Sequence, residues 1–210
     1  MSAAAQRYGD DNAEAYSFAH PIELDWLAGL PKGERILDYG CGYGRAAAGL
    51  AAAGWRVVGV DLAAGMIARG RREHPGLDLR HVDRLPLAEP DGAFDAAILF
   101  AVLTCIPADA EQRALIAELA RLIRPGGLLY VSDYLLQTDA RYAERYRTGE
   151  RRHGVLGVWD RDDGGVFRHH TREGLDALLE GFDAVAERQV ETKTLSGASA
   201  VATQRLVRRT

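Results

Sequence analysis

One run of residues, Asp38-Tyr39-Gly40-Cys41-Gly42-Tyr43-Gly44, carries the densest chemistry in the chain. It follows a short apolar stretch and leads into an alanine-rich helical one. Glycines at such a junction permit a tight turn and let the backbone approach a ligand closely. The helix start beyond them favours negative charge. Asp61 stands nineteen residues after Gly42, at the end of the next apolar stretch, where a carboxylate suits two ribose hydroxyls. A dinucleotide site would want a third glycine where this chain has Arg45. It would also exclude Asp38, because a carboxylate ahead of the loop repels pyrophosphate and attracts an ammonium group. The ligand that fits is a nucleoside carrying a cationic amino group.

Those aspartates need strands that end at them. Apolar runs at 35–39, 55–60, 77–82, 94–100 and 128–134 read as strands, nearly continuous in the way of parallel strands covered on both faces. Helical stretches at 45–53, 63–72 and 109–123 alternate with them. The last has one apolar stripe, Leu115, Ile116, Leu119, Leu122 and Ile123. Asp109 with Gln112 predicts its capping box, and Pro125-Gly126-Gly127 its stop. The first thirty residues read as helix, with Asp11 as a cap, Pro21 as an interruption and a second piece over 22–28.

Beyond residue 134 the texture changes. Arg141, Arg145, Arg147, Arg151 and Arg152 are interleaved with Tyr142 and Tyr146, and Trp159 follows. The arginines read as a solvated helix face ahead of a recruiting patch for an acidic substrate. The aromatic residues either line a pocket or form a small core of their own. Asp162-Asp163-Gly164-Gly165 predicts a turn between two short strands, and Thr171 caps a short helix. Strands near 184–192 and 198–207 are expected to pair antiparallel.

Composition removes whole classes of function. The chain has 210 residues, 47% hydrophobic and 27% charged, enough for one sizeable core and too apolar for general disorder. Its net charge of -4 argues against a nucleic-acid partner. No apolar run reaches bilayer length, and the first twenty residues lack an apolar signal core. The two cysteines make neither a disulfide scaffold nor a metal-binding pair; Cys41 reads as a small loop residue and Cys105 as core. The expectation is a single cytoplasmic domain over 1–210, without metal, membrane or nucleic acid, its oligomeric state open.

The ordered set of motifs resembles the class I methyltransferases that use S-adenosylmethionine. The resemblance runs from about 35 to 136 and includes the glycine loop, Asp61-Leu62, Leu85-Pro86-Leu87, Phe94-Asp95-Ala96-Ala97-Ile98 and Arg124-Pro125-Gly126-Gly127. It implies a doubly wound, Rossmann-like α/β fold. The sheet would be seven-stranded and mostly parallel, with helices on both faces and an antiparallel last strand. It implies that Asp38, Gly40, Cys41 and Gly42 surround the methionine end of the cofactor and that Asp61 binds the ribose. Leu62 and Met66 would lie at the adenine, Asp83 would read its amino group, and Phe100 would face the methionine part; Arg84, where relatives carry a small or apolar residue, either hydrogen-bonds the cofactor or points to solvent. Tyr16 would close over the cofactor from a helical lid at 1–30. The product would be S-adenosylhomocysteine.

Methyl transfer asks little of side chains beyond in-line placement of a nucleophile. A hydroxyl acceptor gains from a base, and histidine is the natural one near neutral pH. His153, His169 and His170 all follow the fifth strand. Adjacent histidines on a strand face opposite ways, so only one of His169 and His170 enters a pocket, and His169 is the expected base. The insertion at 137–170 is expected to help bind a small-molecule acceptor, with Tyr8, Thr104, Tyr134, Tyr146, His153, Trp159 and His170 as the contact set. Thr104 stands where many relatives carry a histidine. The alternatives are a non-catalytic S-adenosylmethionine-binding protein and an NAD(P)-dependent oxidoreductase, the latter opposed by Arg45.

Overall fold

The structure, a computed structural model, describes residues 3–14, 20–194 and 199–210. The chain opens with helix α1 (Ala3–Asp11) and a 3-10 turn (Leu24–Leu27). Strands and helices then alternate: β1 (Arg35–Tyr39), α2 (Arg45–Ala52), β2 (Arg56–Asp61), α3 (Ala64–Glu73), β3 (Asp78–His81) and β4 (Phe94–Phe100). A second 3-10 turn (Leu103–Cys105) leads to α4 (Asp109–Leu122) and β5 (Ile123–Tyr134). Helix α5 (Ala140–His153), the hairpin β6 (Val158–Asp160) and β7 (Val166–Arg168), and α6 (Arg172–Leu178) follow. The long strands β8 (Phe182–Lys193) and β9 (Ser199–Arg209) complete the order.

Seven strands form one sheet in the order β3-β2-β1-β4-β5-β9-β8. All pairings from β3 to β5 are parallel, and β9 runs antiparallel to both its neighbours. The expected architecture is therefore present. Strand alternation builds its two layers. Leu37, Ala97, Leu99, Leu129 and Val131 point to one face, where Leu115, Ile116, Leu119 and Leu122 of α4 cover them. Ile36, Ala96, Ile98 and Tyr130 point to the other, beneath Ala46, Ala47 and Leu50 of α2 and Ile67 of α3. Burying each large aliphatic side chain contributes roughly 1.5–3 kcal/mol. The sequence order reverses between β1 and β4, and such a switch point opens a crevice at the carboxyl ends of the strands.

Three local expectations are corrected. Asp11 is the last residue of α1, so it caps no helix start. At α4 the N-cap is Ala108, and Asp109 pairs with Arg168 while the Gln112 amide donates to the carbonyls of Leu103 and Ile106. That helix stops at Leu122 because Ile123 already pairs with Phe94, and β5 runs on through Pro125-Gly126-Gly127 past an irregularity. Thr171 does cap α6, accepting the Gly174 N–H at 2.9 Å. Among the described residues, no helix is long and apolar enough to cross a membrane.

Candidate functional site

The site grows from the ends of β1 and β2. The loop after β1 makes left-handed turns at Gly40 (φ 73°) and Gly42 (φ 55°), which side chains with a Cβ adopt at a cost. A Cβ on Gly40 would also collide with a methyl of Val102. The loop spends its own amides. Gly40 and Cys41 donate to the Val60 carbonyl at 2.8 and 3.1 Å, Gly44 donates to Cys41, and Gly42 donates to Asp61 Oδ2 at 2.8 Å. The other Asp61 oxygen accepts the Ala63 N–H at 2.8 Å. The amides of Gly40, Cys41, Gly42 and Gly44 are thereby engaged within the protein.

Asp38 is the unusual member. Its carboxyl is buried, one oxygen accepting the backbone N–H of Ala47 and Oδ2 having no hydrogen-bond partner. Burial, with the neighbouring Asp61 carboxylate adding to it, pushes the Asp38 carboxyl up to about 7, against the pull of the Ala47 amide and Arg45. A buried acceptor left open in this way is prepared for a cationic donor.

Asp38, Gly40, Cys41, Gly42, Asp61, Leu62, Met66 and Phe100 line a single cavity of about 880 Å³ including its mouth. Tyr8 of the expected acceptor set joins them. The sequence reading did not place Arg45, Ala101, Val102 or Cys105 on this wall. Arg45 was legible as the residue after Gly44; it donates to the His20 carbonyl at 2.6 Å. Ala101 gave no local signal, yet it adopts a left-handed φ of 55° where β4 ends.

Other expected residues stand elsewhere. After β3 the chain turns outward, leaving Asp83 (side chain 85% exposed) beside His81, and Arg84 exposed, both off the cavity. Tyr16 lies outside the described residues. Tyr146 and Trp159 pack with Tyr142 and Phe167 into a core for the segment after β5. His169 sits inside that cluster, its ring 4.4 Å from Trp159 and 5.0 Å from Tyr134, with Nδ1 hydrogen-bonded to the Tyr146 hydroxyl at 2.6 Å. Burial drives the His169 imidazole down to about 3, so it stays neutral there. The ring has no face on the cavity, which corrects its expected place as a base.

His170, beyond the end of β7, points to Gln112. His153 pairs with Asp160 at 2.9 Å. The Thr104 N–H donates to the buried Asp133 carboxylate, and the Tyr134 hydroxyl meets His20 Nε2 at 2.8 Å. Thr104, Tyr134, Tyr146, His153, Trp159 and His170 therefore do not line the cavity, against their expected place. Aromatic residues that the sequence left between pocket and core resolve as core.

Residues 36–127, which hold the glycine loop, both aspartates and the turn into β5, match the family described as a methyltransferase domain. Over that segment, 92 of its 210 residues, the chain is similar to methyltransferase domains. The chain is 40% identical over 112 residues to a demethylmenaquinone methyltransferase of Beutenbergia cavernae, covering 53% of this chain and 45% of that protein. A 27-O-demethylrifamycin SV methyltransferase of Amycolatopsis mediterranei is 30% identical over 178 residues, covering 79% and 63%. The chain spans about half the length of the curated relatives it matches. A crystal structure of a SAM-dependent methyltransferase from Methanosarcina mazei shares the fold, with a TM-score of 0.83 and 24% identity over 90% of this chain and 99% of that one.

Proposed function

We propose that the chain binds S-adenosylmethionine and methylates a small molecule. The observation that carries this reading is the open, buried Oδ2 of Asp38 on the cavity wall. It fits an ammonium group and no anion. The amides of Gly40, Cys41, Gly42 and Gly44, engaged within the protein, argue against the pyrophosphate of a nicotinamide dinucleotide.

Asp38 would accept from the methionine ammonium, and that cation would draw its carboxyl back to the ionised form. Asp61 accepts the backbone amides of Gly42, Ala63 and Leu62, and its two oxygens keep lone-pair capacity for a ribose hydroxyl. Leu62 and Met66 offer apolar contact to the adenine, and Phe100 to the methionine part. When bound, S-adenosylmethionine supplies an electrophilic methyl carbon on a sulfonium sulfur. The walls align the acceptor with that carbon and exclude water, which supplies most of what the reaction needs. The relatives named above, each a methyltransferase of a small molecule, support an acceptor of that class. The unpaired thiols of Cys41 and Cys105 fit the reducing cytoplasm included in this proposal.

The test is calorimetric titration with S-adenosylmethionine and S-adenosylhomocysteine. Micromolar binding to the wild type and sharply weaker binding to Asp61→Ala are expected, with no binding of a reduced nicotinamide cofactor. A folded protein that binds neither adenosyl compound would end this reading.

A further inference from the structure

Away from Asp38 and Asp61 the cavity wall is mostly apolar; Gln6 and Arg45 also line it, and neither side chain takes up a proton at ordinary pH. Phe100, Ala101 and Val102 form one side, and Cys105 and the ring of Tyr8 another. None of the six histidines borders the cavity, and among the described residues its only carboxylates are Asp38 and Asp61. Residues 1–2, 15–19 and 195–198 include no histidine, aspartate or glutamate.

Among the described residues, the other lining groups that could exchange a proton, the thiols of Cys41 and Cys105 and the Tyr8 hydroxyl, are poor bases. Burial pushes the Cys41 thiol well above its ordinary value and the Cys105 thiol up to about 12, so both stay protonated. The Tyr8 hydroxyl donates to Asp163 at 2.9 Å. To take a proton from an acceptor, Tyr8 would have to pass its own to Asp163. Burial raises that carboxyl, but hydrogen bonds from Tyr8 and Gly165 and the charge of Arg161 outweigh it and hold Asp163 below the usual carboxylate range. The relay runs uphill.

On the methyl-transfer reading above, we infer that the acceptor enters as a preformed anion on an apolar frame, an acidic thiol or acidic phenol whose proton has already gone to water. Its lone pair forms the new bond to the methyl carbon as the carbon–sulfur pair returns to the cofactor sulfur. No proton remains to be removed. Opposite charges disappear in that step, and a wall of low polarity favours a reaction that annihilates charge over one that must create it. Alcohols and unactivated phenols have no proton acceptor here and are excluded as good substrates.

The experiment uses the full chain with S-adenosylmethionine and a graded series of ring-substituted thiophenols and phenols, reading S-adenosylhomocysteine release against pH. The expected result is a kcat/KM profile whose inflection moves with the ionisation of each acceptor. At pH 6 the most acidic members should turn over at least tenfold faster than unactivated phenol. Tyr8→Phe should leave each inflection in place. One inflection common to all acceptors, a preference for alcohols or unactivated phenols, or bound cofactor with no member of the series methylated would overturn the inference. Calorimetry on the same sample separates this from the earlier reading, which alone requires the cofactor to bind.

Discussion

The ends of β1 and β5 each bury an aspartate, and the two carboxyls meet burial differently. Asp38 and Asp133 are both pushed up to about 7 by loss of water. Asp133 compensates within the fold, accepting the N–H groups of Tyr134 at 2.8 Å and Thr104 at 3.2 Å, with Leu103 adding a third. It ties the turn that carries Val102 and Cys105 to the neighbouring strand. Asp38 keeps Oδ2 without a partner. The same cost of burial thus serves structure at one strand end and, on the proposed function, is held open for a ligand at the other. Partnership, more than burial, separates a scaffold carboxyl from a binding one.

The sharpest way to break this comparison is Asp38→Asn. It should weaken S-adenosylhomocysteine binding by about 3 kcal/mol, roughly a hundredfold, in calorimetry at pH 7.5. Its effect on stability should have the opposite sign. The folded carboxyl titrates near 7 and the unfolded one near 3.9, so its contribution is fully present below about pH 4 and is lost as pH rises through 7. Ligand-free Asp38→Asn should therefore melt higher than wild type at pH 8, with the gain shrinking at pH 5. In the wild type, cofactor affinity should fall as pH drops below 7, with proton uptake or release read by calorimetry in two buffers. Asp133→Asn should keep that pH dependence of binding.

Next in size, Asp133→Ala should cost about 2–4 kcal/mol in denaturant unfolding by stranding buried N–H groups. A loss of binding without a loss of stability there would reverse the assignment of the two carboxyls. Gly40→Ala should cost about 2 kcal/mol through its left-handed φ and its collision with Val102, and should weaken binding as the loop shifts. Thr171→Ala, far from both strand ends, should lower stability by about 1 kcal/mol through the lost cap and leave cofactor affinity unchanged.

The same contrast explains what could be read in advance. β1 and β4 fall on their predicted bounds because unbroken apolar runs leave little choice once both faces are covered. Asp38, the glycines and Asp61 were legible because their chemistry depends on spacing along a short segment. Contacts that join distant segments were not. Asp109 and Gln112 look like a local capping box, but their partners Arg168 and His170 come from about sixty residues away. His169 looks like a base until Tyr146, Trp159 and Tyr134 close around it. Nothing local to Tyr8 announces Asp163, 155 residues further on.

The place of β9 has a consequence for the protein during its synthesis. This strand is the last of the sheet in sequence but lies between β5 and β8. While the ribosome is still making residues 199–209, β5 has an open, strongly apolar edge with Leu129, Tyr130 and Val131 on it. At ordinary elongation rates that edge waits several seconds for its partner. Such an edge can template pairing with another chain. The nascent protein is therefore most in need of protection after its glycine loop has been made and before β9 emerges.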